Sequence, residues 1–266
     1  MLSPAHNTKH VALLPAPFHA SSFLLAQRDD GVSNGTALWL GAQCMAHFLA
    51  TLPVSARLVE LGSGIGYTAY AVSHLSIPRA HPCSLAMSSL GWDVLATDTA
   101  HVISTVLAKN IRDNATRSIH VRELDWTIPP HQWSWTDSTA IASTTPSLTP
   151  ALDLSPPFDL VCSADTVYSP DLVQPLLRTI HALCTLSRAA SPSARAPPAY
   201  LCIERRDPAL VDHVLAQAHT TWGFSVHRVP HHKLLKALRK ARITWPRHEW
   251  DAVEIWKLTL PRIPLS

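Results

Sequence analysis

Three of the eight glycines in this chain of 266 residues stand within five positions of one another, as Gly62, Gly64 and Gly66. They follow the apolar run 57–61 and precede a segment of helical spacing, 67–77. A glycine-rich turn between a strand and a helix lets a ligand approach the backbone closely, because glycine has no side chain and adopts left-handed dihedral angles. The spacing therefore predicts a nucleotide-cofactor site.

The same segment indicates which nucleotides fit poorly. Tyr67 stands where a dinucleotide fingerprint has its third glycine, and no Gly-Lys-Ser/Thr of a phosphate loop follows. Glu60, two residues before the first glycine, adds a carboxylate. These residues favour a cationic ligand over a pyrophosphate and disfavour a nicotinamide-dependent dehydrogenase.

Asp98 ends the next apolar run, about 30 residues after the glycines. A carboxylate at this point can accept hydrogen bonds from both ribose hydroxyls of a nucleoside. The alternative is that Asp98 caps a helix predicted over 100–112, and the two roles are compatible.

Alternating strand and helix patterns must position these residues. Helical spacing covers 36–51, 67–77, 100–112, 171–186 and 208–219. Strands are predicted at 57–61, 92–97, 119–124, 158–162, 200–204, 224–229 and 253–258. The alternation predicts a Rossmann-like three-layer α/β/α sandwich with a seven-stranded, mostly parallel sheet, closed at one edge by an antiparallel C-terminal strand.

We divide the chain into an N-terminal extension, 1–35, with a short strand at 23–26, and a single domain, 36–260. Segments near 78–89, 136–157 and 188–199 interrupt the pattern and are interpreted as surface insertions, the last two mobile. Residues 1–28 loosely fit a mitochondrial presequence, although arginine is scarce there and three prolines interrupt the segment.

Bulk composition excludes several classes of protein. The net charge of +3 is too small to indicate nucleic-acid binding by the whole chain. The five cysteines form no Cys-x-x-Cys pair, which argues against a zinc site or a disulfide framework and favours a reducing compartment. No apolar run reaches the length of a membrane span. We expect no metal and no membrane anchor.

The segment from Glu60 to Gly66 and the run ending at Asp98 resemble the seven-β-strand methyltransferases that use S-adenosylmethionine. The resemblance narrows to the methyltransferase-like 21 group of protein lysine methyltransferases, in family 16, and spans about residues 23–259. Four motifs carry it: Leu38-Trp39, Leu124-Asp125-Trp126, Ala164-Asp165-Thr166-Val167-Tyr168 and Glu204-Arg205-Arg206.

The resemblance implies S-adenosyl-L-methionine as the cofactor. Gly62, Gly64 and Gly66 would line its methionine side and Asp98 would bind the ribose. Asp125 and Trp126 would lie at the adenine, with Trp39, Glu60 and Ala164 also in the cofactor site. Trp39 and Trp126 could instead be core aromatics.

Asp165 and Tyr168 are the predicted catalytic residues. A lysine acceptor needs a free lone pair, and burial beside a sulfonium disfavours its ammonium form. Asp165 would hold and orient the amine, and Tyr168 would face the cationic groups. The alternative is that Asp165 caps the helix after Pro170 and Tyr168 packs in the core.

The sequence thus predicts methyl transfer to a lysine of a translation factor, ribosomal protein or chaperone, by a monomer in the cytoplasm, with the nucleus as a second compartment. A methyltransferase for small molecules or other residues, and a non-catalytic interaction module, remain alternatives. A basic stretch, 228–247, is either a solvated helix face or a surface for an acidic or ribosome-associated partner.

Overall fold

The computed structural model describes residues 3–18, 21–28, 34–53, 57–73, 92–114, 119–144 and 154–262. The strands are β1 Leu13–Phe18, β2 Ser21–Ala26, β3 Arg57–Leu61, β4 Asp93–Asp98, β5 Ile119–Leu124, β6 Ala140–Ala142, β7 Leu160–Ala164, β8 Ala199–Glu204, β9 Ser225–Arg228 and β10 Val253–Thr259. The helices are α1 Leu40–Leu49, α2 Tyr67–Ser73, α3 Ala100–Val102, α4 Ala108–Asp113, α5 Val173–Ala190, α6 Pro208–Thr220 and α7 His231–Lys240, and a π-helical turn, Ile103–Leu107, joins α3 to α4.

The main sheet has the order β6-β5-β4-β3-β7-β8-β10-β9. Every neighbouring pair is parallel except those of β10, which runs antiparallel to both β8 and β9. Helices cover both faces, so successive strand residues enter different cores: Leu58 packs with α1 and α2, and Val59 packs with α5. Burial on both faces explains why these strands are continuous apolar runs. The predicted α/β/α sandwich is confirmed.

Two details of the predicted sheet are wrong. Eight strands, rather than seven, form the main sheet in the described part of the chain. The antiparallel C-terminal strand β10 does not close an edge, because it lies between β8 and the edge strand β9. The connection through α7 lets β9 pair outside β10.

The extra strand, β6, comes from the segment interpreted as a mobile insertion, 136–157. Its attachment depends on Arg122, a buried residue of β5 whose guanidinium donates to the carbonyls of Ser134, Asp137, Ala140 and Leu154. A buried guanidinium needs several acceptors, and this segment supplies them. Part of the insertion is therefore fixed in the sheet.

The other insertions differ in how much of them is described. The segment 78–89 lies outside the described residues. The segment 188–199 begins within the last turn of α5 and then runs over the surface into β8. The helix predicted over 36–51 begins only at Leu40, after a short 3-10 turn, Asn34–Thr36.

A hairpin of β1 and β2 packs on α4 in front of the sheet. Asn110, buried in α4, joins it to the glycine turn. Its side-chain nitrogen donates to the carbonyls of Ala26 and Ile65, each at 2.9 Å, and its oxygen accepts from the Ala26 N–H at 2.7 Å. The N-terminal segment thus helps to hold the turn that carries the glycines.

Among the described residues, no helix is both long and apolar enough to cross a membrane. The same part of the chain contains no group of three or more His, Cys, Asp or Glu residues that could hold a metal ion.

Candidate functional site

A cavity opens at the carboxyl ends of β3, β4, β5 and β7, where parallel α/β sheets place their ligands. Nine of the eleven site residues predicted from the sequence line it: Trp39, Gly62, Gly64, Asp98, Asp125, Trp126, Ala164, Asp165 and Tyr168. Glu60 and Gly66 are not among its lining residues. The sheet topology brings these residues together from distant parts of the chain.

The first two glycines of the turn are required by their backbone and by their neighbours. Gly62 and Gly64 have φ angles of +67° and +56°, in the left-handed region. A β-carbon on Gly62 would lie 2.7 Å from the Thr166 methyl group, and one on Gly64 would lie 3.1 Å from the Gly35 carbonyl oxygen. Both positions therefore exclude a side chain in this arrangement.

Gly66 and Glu60 lie behind the turn rather than in the cavity wall. A β-carbon on Gly66 would lie 3.0 Å from a Leu107 methyl carbon, so this glycine allows α2 to start close to the neighbouring helix. Glu60 is buried, and burial raises its pKa to about 8, against the effect of the Ser63 and Thr68 hydroxyls. Burial therefore favours the neutral form of Glu60, which lies behind the turn and not at the cavity surface.

Asp98 faces the cavity with its carboxylate already oriented. One oxygen accepts from the Gly64 N–H at 2.9 Å and the other from the Thr99 N–H at 2.8 Å. Burial raises the pKa of Asp98 to about 6, although the two N–H groups act in the opposite direction. Asp98 makes no cap to the following helix, whose N-cap is Thr99 without a side-chain cap bond. Each carboxylate oxygen retains a second lone pair for a ligand.

The wall beyond β5 is formed by Asp125 and Trp126. One oxygen of Asp125 accepts from the N–H and hydroxyl of Thr127, at 2.8 and 2.7 Å. The Trp126 ring lies 3.4 Å from where a Gly62 β-carbon would be. The indole Nε1 of Trp126 is buried and has no hydrogen-bond partner among the described residues. Arg178 of α5 fixes this wall by donating to the carbonyl oxygens of Trp126 and Thr127, at 2.7 and 2.9 Å.

Asp165 has a left-handed backbone, with φ of +54°, and a side chain that is only 4% exposed. Its two carboxylate oxygens accept from the Gly41 N–H at 2.6 Å and from the Glu204 N–H at 3.0 Å. Burial raises its pKa, while the Glu204 N–H, the Arg206 charge and the Gly41 N–H lower it. Asp165 therefore caps α1 and ties it to β8. It does not cap the helix after Pro170, which has no side-chain cap bond.

Tyr168 lies at the mouth of the cavity with 50% of its surface exposed. Partial burial and the Asp98 charge raise the pKa of its hydroxyl, so the phenol remains a hydrogen-bond donor at neutral pH. Of the two predicted catalytic residues, Tyr168 is the one whose side chain is open to an arriving molecule.

Trp39, just before α1, is contacted by two cations. The Lys9 ammonium lies 3.8 Å and the Arg206 guanidinium 4.4 Å from its ring centroid, and its Nε1 donates to the Asn34 carbonyl at 2.5 Å. Arg206 also donates to Glu204. These contacts fix one side of the cavity mouth.

Several lining residues were not predicted, among them Asn34, Gly35, Leu38, Val102 and Thr166. Asn34 and Gly35 were assigned to the N-terminal extension, yet their turn crosses the glycine segment. In the structure a β-carbon on Gly35 would lie 2.7 Å from a Val102 methyl carbon, so the turn needs a glycine here. Leu38 and Thr166 belong to two of the motifs in the sequence, which assign them no role in the cofactor site.

No protein-family model matches the sequence, and no curated protein matches it significantly. Solved structures with similar folds include the glycopeptide N-methyltransferase MtfA, with 13% identity, a TM-score of 0.47, and coverage of 83% of this chain and 90% of that chain. A precorrin-6y C5,15-methyltransferase from Geobacter metallireducens GS-15 has 13% identity and a TM-score of 0.44, covering 77% and 80%. A TehB-like SAM-dependent methyltransferase from Corynebacterium glutamicum has 16% identity and a TM-score of 0.42, covering 83% and 88%. At this level the likeness carries no argument about cofactor, acceptor or partner.

The charged residues that line the cavity are all acidic, while two cations stand at its mouth: Lys9 and Arg206 contact Trp39, and the Arg206 guanidinium lies 3.9 Å from an Asp165 carboxylate oxygen. The lining residues include three aspartates, Asp98, Asp125 and Asp165, and no lysine, arginine or histidine among the described residues. Such a wall repels phosphate groups and suits a ligand that carries positive charge and hydroxyl donors.

Proposed function

We propose that this chain is an S-adenosylmethionine-dependent methyltransferase whose acceptor is a lysine side chain of a protein. One observation carries the cofactor assignment: a glycine-lined cavity at the carboxyl ends of parallel strands, with three aspartates and no cationic side chain in its described wall. S-adenosylmethionine is a nucleoside with two ribose hydroxyls and a positive sulfonium, and it has no phosphate.

The residues present fit this cofactor. Asp98 holds a carboxylate toward the cavity with lone pairs for two hydroxyl donors. The buried Nε1 of Trp126 is a donor without a protein partner among the described residues, and an adenine ring would supply acceptor nitrogens beside it. Gly62 and Gly64 leave the backbone open to close approach.

Bound S-adenosylmethionine would supply a methyl group activated by the positive sulfur. The chain's own residues would position the acceptor. The Tyr168 hydroxyl, a donor and acceptor at the cavity mouth, would orient the incoming amine. The negative charge of Asp98 would attract a lysine ammonium, which must lose its proton before transfer, whereas the Asp165 carboxylate is already paired with Arg206 at 3.9 Å. Asp165 already accepts hydrogen bonds from two backbone N–H groups. Its role is therefore to hold α1 and Trp39 in place beside the site.

Labelling of a lysate tests the proposal as a whole. The purified chain is incubated with a cell lysate and S-adenosylmethionine labelled in its methyl group, and the labelled polypeptides are hydrolysed to amino acids. We expect label in methyllysine, and none when Asp98→Ala replaces the wild-type chain. Label in methylarginine, in a small molecule or in no product would contradict the lysine assignment.

The raised pKa of Asp98 predicts a pH dependence of cofactor binding. Only the carboxylate form accepts from both hydroxyls, so the dissociation constant for S-adenosylmethionine should be constant well above pH 6. Below that pH it should rise by up to about tenfold per pH unit. The stability of the ligand-free chain should depend on pH in the opposite direction. The raised pKa of Asp98 stabilises the fold at low pH, and this contribution to the free energy of unfolding is lost as pH rises through about 6.

Calorimetric titration at several pH values between 5 and 8 checks this, with Asp98→Asn as the matched control. The asparagine variant should bind weakly at every pH, without the slope. A wild-type affinity that is flat down to pH 5 would exclude Asp98 as the titrating ligand.

A further inference from the structure

The exposed face of α7 carries positive charges that form no ion pair within the described part of the chain. Leu234, Ala237 and Leu238 are buried, and α7 packs against α1. Five exposed cations, Lys233, Lys236, Arg239, Lys240 and Arg242, lie on or just after α7; we call them the α7 surface. None of the five forms an ion pair with a described residue, and no acid stands between Asp212 and Glu249.

The nearby acids are already engaged elsewhere. Glu249 pairs with His6 at 2.5 Å, Asp251 with Arg247 at 3.0 Å, and Glu254 with Arg228 at 3.0 Å. Because these acids contact other basic side chains and none of them pairs with the five cations, the positive charge of the α7 surface is not neutralised within the described part of the chain.

Helix stability does not account for the pattern. Lys233, Lys236 and Lys240 are like charges spaced three and four residues apart, and such pairs destabilise a helix. Lys233 also lies in the first turn, where the helix dipole disfavours a cation. Arg242 adopts a left-handed backbone, with φ of +58°, where glycine would be unstrained. Lys233, Lys236 and Arg242 therefore stand against local preferences, whereas the helix dipole favours Arg239 and Lys240, which lie in the last turn of α7.

We propose that the α7 surface binds an acidic segment, rich in Asp and Glu, of the protein substrate; this rests on the proposed function. α7 packs on α1, whose N-terminus follows the cavity residues Leu38 and Trp39. The chain leaving α7 enters β10 at Val253, which pairs with Glu204 at the carboxyl end of β8, the edge of the sheet where the cavity opens. A substrate held on α7 would place a neighbouring lysine on this side of the sheet.

Two other polyanions fit less well. A membrane surface would need the apolar face of α7, and that face is buried against α1. Single-stranded RNA is generally held by exposed aromatic side chains, and α7 has no Phe, Tyr or Trp and a single exposed imidazole, His232, while the net charge of the whole chain is only +3.

Fluorescence anisotropy with a labelled peptide of twelve glutamates tests the proposal. The variant is Lys233→Glu/Lys236→Glu/Lys240→Glu, and the matched control reverses three exposed cations elsewhere, Arg112→Glu/Arg195→Glu/Arg262→Glu. Both variants have the same net charge. We expect the first to lose at least tenfold in peptide affinity and the control to lose twofold or less, with affinity for S-adenosylmethionine equal in both.

Equal losses in the two variants would overturn the proposal, because net charge alone would then explain binding. Tighter binding of a twelve-nucleotide RNA than of the peptide would overturn it in favour of a nucleic acid. The cofactor titration separates this from the proposed function. A chain that binds the peptide through α7 but not S-adenosylmethionine has the surface without being a methyltransferase. A chain that binds S-adenosylmethionine but not the peptide contradicts the proposed role of the α7 surface and leaves the proposed function standing.

Discussion

Replacing Asp165 with alanine is expected to lower the free energy of unfolding by about 2–6 kcal/mol and to abolish methyl transfer. The substitution leaves the N–H groups of Gly41 and Glu204 without acceptors in a buried place, and each such loss costs about 1–3 kcal/mol. It also frees the start of α1, which carries Trp39 at the cavity mouth. Urea denaturation and a transfer assay measure the two effects.

Two further variants show whether the loss of stability comes from the two hydrogen bonds of Asp165. Asp171→Ala removes an exposed acid from the 3-10 turn before α5 and should change stability by less than about 0.5 kcal/mol. Asp165→Asn keeps one oxygen for one N–H group and should recover part of the stability. If Asp165→Ala is as stable and as active as the wild type, the capping role is wrong.

Gly62→Ala is expected to damage both the fold and the cofactor site. The left-handed backbone costs an L residue about 1–2 kcal/mol. The added β-carbon, 2.7 Å from the Thr166 methyl group, must also displace Thr166 in the cavity wall. We expect at least a tenfold loss in affinity for S-adenosylmethionine.

Gly223→Ala is the control that the chain itself supplies. Gly223 has the same φ of +67°, but nothing lies within 4 Å of its β-carbon position. Its substitution carries the backbone cost without the collision, so stability should fall while cofactor affinity stays unchanged. Equal effects of the two variants on cofactor affinity would mean that the cavity does not lie against Gly62.

Much of the fold was predictable because the sheet is buried on both faces. Each strand of the parallel core is then a short apolar run, and the residue that ends or follows it stands at the ligand edge, as Asp98 and Asp125 do. The placement of nine predicted residues around one cavity follows from this topology rather than from any single motif.

The parts that were missed depend on contacts between distant residues. The three-residue strand β6 is too short to leave a pattern, and it is held by backbone hydrogen bonds to β5 together with the carbonyls that accept from Arg122. Similarly, nothing local in the sequence shows that the Asp165 carboxylate reaches Gly41, 124 positions away. Glu60 stands two residues before the first glycine, as predicted. Its burial could not be predicted, because it results from packing against Thr68 and Ala69 of α2.

Titration of S-adenosylmethionine into the purified chain by isothermal calorimetry tests the central claim most directly. We expect saturable binding of one molecule per chain, competition by S-adenosylhomocysteine and no binding of NAD. Asp98→Ala should lower the affinity for S-adenosylmethionine at least about thirtyfold, because it removes charge-assisted hydrogen bonds worth about 2 kcal/mol or more. No heat with either sulfur nucleoside, or equal affinity in wild type and Asp98→Ala, would contradict the assignment of this cavity.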